Sequence, residues 1–206
     1  MDFTRRNTIA IITAKLVLLF AVFVLCTVAK ADDSVRNKAY KTAEPNAVKA
    51  ALIFNFTRYV RWEEEHIESN SNKLTVGFYG RDSCNGWLHK IASKGTTAQG
   101  CEVEVKVIHD LASVYVDVIV LPADTKLSAY ESNALKNFLD VLIVTESEKL
   151  FKEVGMVLLS TDKDQFYFEV HKGRLDNAGL TVNSRMLQAA EVVHEDPEPE
   201  EGEQSS

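Results

Sequence analysis

A chain of 206 residues, 46% of them apolar, is long enough to bury a substantial core, and a formal net charge of −7 without a basic stretch offers nothing to a nucleic acid backbone. Its three cysteines are too few for a disulfide-built scaffold. What length and charge leave open is an ordinary globular domain with an acidic surface.

The chain opens with Arg5 and Arg6, an apolar run over 16–29, and Ala29-Lys30-Ala31, the small-x-small pattern of a cleavage site. This predicts a secretory signal over 1–31, with an uncleaved anchor over 9–29 as the alternative, against which Lys15 stands. Cleavage removes Arg5, Arg6, Lys15 and Lys30 against Asp2, so the net charge goes from −7 to −10, of which −6 lies after His194. An exported protein is implied, periplasmic in a Gram-negative source. Residues 32–43 are polar and lack periodicity, and are read as a flexible leader.

The strongest helical signal is 45–62, PNAVKAALIFNFTRYVRW. Pro45 suits the first helical position, where its missing N–H costs nothing. At 100° per residue Val48, Ala51, Leu52, Tyr59 and Trp62 share one arc, widened by Phe56 and Val60, and this arc is predicted to face the core. Asn55 falls within the arc and is read as a structural amide. Phe54 projects to the other side with Thr57 and Arg61, leaving two readings: second-layer packing, or an exposed partner-binding surface with Arg58 and Arg61.

After a polar stretch over 63–72, read as a solvated loop, 74–79 (LTVGFY) forms a strand. Asp82 or Ser83 caps a short helix with Trp87, Leu88 and Ile91 at helical spacing. Residues 101–108 alternate Val103, Val105 and Val107 with charged residues, as in an edge strand with one wet face. Residues 110–113 are a brief turn or helix. VDVIVLP from Val116 is a β-branched run stopped by Pro122 and predicts a central strand. Residues 126–139 place Leu127, Tyr130, Ala134, Leu135 and Phe138 at helical spacing, and VLIVTES from Val141 is a second buried strand. Strands 156–160 and 165–170 flank a polar turn and should form an antiparallel hairpin. Residues 173–179 return the chain, and 184–193 close as a helix with Met186, Leu187, Ala190 and Val193 inward. The tail, 194–206, is acidic, carries two prolines and should stay disordered.

The alternation of strands and helices argues for one α/β domain over 44–193, with a mixed, mostly parallel sheet of five or six strands and a C-terminal hairpin. No phosphate-binding glycine motif, phospho-acceptor aspartate or metal-ligand spacing of histidines is present, so no catalytic residue, metal or cofactor is assigned. For Cys84 and Cys101 two arguments oppose each other. Export favours a disulfide, while a strand-helix-strand unit puts the two at opposite ends of the sheet.

Three stretches carry a resemblance: KAALIFNFTRYVRW (49–62), GFYGRD (77–82) and FEVHKGRLDNAGLTVNSRMLQAA (168–190). Together, in order and spacing, they resemble the YfiR family of exported bacterial proteins, over nearly the whole body from 44 to 193. The resemblance implies a small periplasmic α/β regulator without catalysis. It implies binding to a membrane signalling protein, through the periplasmic sensor portion of a diguanylate cyclase or sensor kinase, with repression of the former. By position, Asn55, Phe56 and Trp62 match the first-helix signature, and Gly179, Leu180 and Leu187 the closing one. Glu63 stands where the family usually has proline, and His171-Lys172 where it has an asparagine-containing turn. A small-ligand-binding sensor domain, with its effector beyond the strands' carboxyl ends, is the second reading. A homodimer stays open.

Overall fold

The computed structural model describes residues 44–95, 99–111, 115–162 and 165–196. The expected signal segment and leader lie outside these residues, as do positions 112–113 of the predicted turn, 163–164 of the hairpin turn and 197–206 of the acidic tail.

Helix α1, Pro45–Tyr59, starts as its sequence dictates: Pro45 occupies the first turn and the Glu44 carboxylate accepts the Ala47 N–H at 2.9 Å. It ends three residues earlier than helical spacing suggested. Val60 turns extended, and Val60–Arg61 becomes strand β1. The stretch read as a loop contains α2, Glu64–Ser69, which buries Ile67. Strand β2, Lys73–Tyr79, leads through a turn to α3, Trp87–Ala92, and then to β3, Glu102–Ile108. In that turn the Asp82 carboxylate accepts the N–H groups of Cys84 and Gly86, each at 2.7 Å.

Strand β4, Val118–Leu121, is buried at every position, as a β-branched run covered on both faces should be. Helix α4, Ala129–Lys136, is shorter than predicted and begins with a capping box between Ser128 and Glu131. Tyr130, expected inward, is 76% exposed on its first turn. Strand β5, Leu142–Thr145, is again wholly buried. Helix α5, Glu148–Glu153, went unread in the sequence, and is followed by β6, Val157–Asp162, and β7, Gln165–His171. The return segment holds α6, Lys172–Asn177, and the two-residue β8, Thr181–Val182. Helix α7, Ser184–Ala189, stops before Val192, because Val192–His194 is strand β9, and Val193 is 38% exposed instead of facing the core.

The seven-stranded sheet runs β3-β2-β4-β5-β6-β7-β9. The pairs from β3 to β6 are parallel, β7 is antiparallel to β6, and β9 is parallel to β7. The fold is thus the α/β class, mixed and mostly parallel, with the predicted hairpin and with β3 at the edge. Short β1 and β8 form a separate antiparallel pair that ties the end of α1 to the closing segment.

The core face of α1 differs from the predicted arc. Ala50, Ile53, Phe54, Phe56 and Thr57 are buried, Val48, Ala51 and Leu52 are half-buried, and Tyr59 is 36% exposed. The reason is that α1 is covered from two directions. Phe56 meets Phe168 of β7 edge to face at 5.2 Å between ring centroids, while Phe54 faces the α3 side, where a Cβ on Gly95 would lie 2.8 Å from its ring. A helix apolar on two sides gives no single arc on a wheel.

Candidate functional site

Three regions gather polar side chains or open a concavity. The first lies at the carboxyl ends of the parallel strands, where α/β sheets usually receive ligands. Here the fold's own side chains cross from loop to loop. Arg81 is bidentate to Asp124, at 2.7 and 3.2 Å, and Tyr79 donates its hydroxyl to Glu131 at 2.5 Å. Glu146, beyond β5, accepts from Lys49 of α1 at 2.9 Å and from the Ser83 hydroxyl at 2.5 Å. The Glu131 carboxylate beside it, helped by burial, pushes the Tyr79 phenol up to about 12. These bonds consume the groups that would otherwise greet an effector.

The opposite end of the sheet draws together the signature residues. The Trp62 indole donates to the Asp140 carbonyl at 2.7 Å, and the Asp140 N–H donates to the Ala178 carbonyl at 2.8 Å. Gly179 follows with φ at +78°, a conformation glycine adopts freely, and a Cβ there would lie 3.2 Å from the Asp140 carboxylate. Asn183 N–H donates to the Tyr59 carbonyl at 2.8 Å, beside the β1–β8 pairing. Phe56, Trp62 and Leu180 are buried, and Asn55 and Leu187 half-buried. The positions matching the first and last signature stretches therefore meet as packing and backbone ties. Close by lies a network the sequence reading missed. Asp117, fully buried at the start of β4, accepts from His66 at 2.7 Å, from Asn70 at 3.2 Å and from the Thr75 N–H at 2.5 Å. Its one visible signal was a carboxylate interrupting the β-branched run after Val116.

The third region comprises two concavities on opposite sides of the sheet order. One, of about 340 Å³, lies beside β7 and β9 and is lined by Phe151, Arg174, His171, His194, Glu169 and Lys152, among others. His171 and His194 stack at 6.1 Å, and His194 pairs with Glu169 at 2.6 Å. Burial, and then the Arg174 charge, lower the His171 pKa. Arg174 itself donates to the carbonyls of Phe151, Lys152 and Gly155, closing the end of α5. Among the described residues no three His, Cys, Asp or Glu side chains are placed to hold a metal ion.

The other, of about 510 Å³, is a groove between α1 and α3 lined by Phe54, Trp87, Lys90, Ile91, Ser93, Lys94 and Gly95. Of the two readings of Phe54 the structure favours packing and corrects the exposed one: the side chain is 7% exposed and forms the groove's floor. Arg58, one turn on along the same helix, and Arg61 of β1 are exposed as expected. The groove was invisible in sequence because Gly95, whose missing side chain leaves room against Phe54, carries no motif.

Cys84 and Cys101 are both buried and are not joined to one another. Cys84 follows the carboxyl end of β2 and Cys101 precedes the amino end of β3. These strands run parallel from Lys73↔Glu102 to Tyr79↔Ile108, so the bounding strand ends are roughly 20 Å apart at ~3.3 Å per residue. Burial pushes the Cys84 thiol up to about 12, with Lys49 pulling the other way, which makes it a poor nucleophile.

A family model described as YfiR/HmsC-like matches residues 46–191. No curated protein matches the chain. The matched span runs from the second residue of α1 through α7 and contains every signature position named above.

Proposed function

We propose that this chain, which belongs to the YfiR/HmsC-like family, is a periplasmic adaptor that binds a membrane signalling protein and represses it, the target being a diguanylate cyclase contacted through its periplasmic sensor portion. The observation that carries this reading is the family match across the folded body, in a family of periplasmic regulators without catalysis. Among the described residues no helix is long and apolar enough to cross a membrane. The contact surface is the outer side of α1 with the adjoining β1, where Arg58 and Arg61 are exposed, continued by the groove floored by Phe54. Export by a cleaved signal over 1–31 belongs to the same proposal.

The test is deletion of the gene followed by measurement of cellular cyclic di-GMP. A rise that the wild-type gene reverses, and that an Arg58→Glu/Arg61→Glu version does not, is the expected result. An unchanged level together with no signalling protein recovered from membranes would overturn the reading. The cleft of about 340 Å³ beside His171 and His194 favours a second reading, a small-ligand sensor. Thermal stabilisation by a small molecule, lost on changing His194, would support it.

A further inference from the structure

The groove between α1 and α3 has a chemistry of its own. Its floor and wall are Phe54, Ile91 and the Trp87 ring, and Gly95 leaves the floor open. Its rim carries two ammonium groups, Lys90 and Lys94, and among the described residues no carboxylate lines it, in a chain whose net charge is −7. The Lys90 ammonium lies over the Trp87 ring, 4.4 Å from its centroid. A local excess of positive charge on an acidic protein attracts an acidic ligand to that place and repels it elsewhere.

Resting on the partner-binding reading above, we infer that this groove binds an acidic peptide segment of the partner, with one large apolar side chain on Phe54, Trp87 and Ile91 and flanking carboxylates on Lys90 and Lys94. Other anionic occupants fit less well. An anionic bilayer is held by clusters of roughly four to eight basic residues, and a volume of about 510 Å³ with two lysines is the scale of a short ligand segment. The chain's own tail after His194 supplies carboxylates but no large apolar residue. Recognition of this kind uses an aromatic floor for affinity and the charged rim for orientation and selectivity.

The test uses the full mature chain and an acetylated, amidated peptide of phenylalanine flanked on each side by two glutamates, followed by calorimetry and by tryptophan fluorescence. Binding is expected to change the emission in the wild type, to leave it unchanged in Trp87→Phe, and to weaken about tenfold or more in Lys90→Glu/Lys94→Glu. A glutamine-for-glutamate peptide should bind with a similar loss. Equal binding by the wild-type and charge-reversed chains overturns the inference. So does equal or tighter binding of a peptide of residues 196–206, which would make the tail the occupant, or a dimer that the reversal dissociates, which would make it a second copy. Capture from membranes separates the two levels. A chain that binds the peptide but captures no signalling protein retains the groove and loses the partner reading. One that captures it undiminished by the reversal, and ignores the peptide, retains the reading and loses the groove.

Discussion

The two concavities of the molecule differ in how their charges are settled. Beside β7 and β9, polar groups sit together and engage one another: His194 meets Glu169 at 2.6 Å, and the Arg174 guanidinium faces three backbone carbonyls. Between α1 and α3, among the described residues, the charged groups of the rim are the two lysines, over an apolar floor. The first arrangement closes a domain edge, and the second leaves charge and apolar surface to be matched from outside. A concavity alone therefore says little about recognition, and its uncompensated chemistry says more.

The comparison is most sharply tested at the floor of the groove, where the largest effect is expected. Phe54 is 7% exposed, so Phe54→Ala should cost about 3–5 kcal/mol in denaturant unfolding, close to the loss from Phe56→Ala. A loss below ~1 kcal/mol would place Phe54 back on the surface and dissolve the floor. Next comes the cleft. Arg174→Ala leaves the carbonyls at the end of α5 without their charged donor and should cost about 2–3 kcal/mol. Arg174→Lys should recover little, since one ammonium cannot reproduce the guanidinium fork. Full recovery by lysine would mean that charge alone matters there.

How far the sequence could be read divides along the same physical line. Strands β4 and β5 and the β6–β7 hairpin were legible because β-branched runs bounded by Pro122 or a polar turn have few other structures to adopt. The wheel of α1 failed because Phe54 is covered by a different neighbour from Phe56, and periodicity reports only one-sided burial. Strand β9 was missed because Glu191-Val192-Val193-His194 continues a helical pattern equally well, and only pairing with β7 decides against it. The signature residues were named by resemblance, which periodicity alone could not have supplied. That Trp62 and Gly179 converge on Asp140 is a fact of topology, since they lie on segments far apart in the chain.

A smaller effect concerns pH and the cleft. Burial and Arg174 hold the folded-state pKa of His171 below its ordinary 6.5, so the unfolded chain binds the proton more readily. The stability this contributes is present above 6.5 and is lost as pH falls through the folded value. The residues facing the ring are Phe151, Arg174, His194 and Asp196, of which Asp196 opposes the shift. Stability should therefore decline on acidification below about 6.5, and His171→Gln should flatten that decline whatever its effect at neutral pH. An unchanged slope would show that His171 is charged with equal ease in both states.

The smallest effect belongs to the rim of the groove, and its smallness is what the comparison requires. Lys90 and Lys94 are exposed, and the contact between Lys90 and the Trp87 ring is of the kind worth roughly 0.5–1 kcal/mol at an exposed site. Lys90→Ala/Lys94→Ala should accordingly stay within about 1 kcal/mol of the wild type in unfolding, near the range of ordinary surface substitutions. The same pair changed at the other concavity, Arg174 with His194, should not be so quiet, because those groups are already engaged inside the protein. If removing the two lysines cost ~3 kcal/mol or more, their charges would be serving the fold. The cationic rim would then be internal compensation, like the cleft, with nothing left over for a partner to meet.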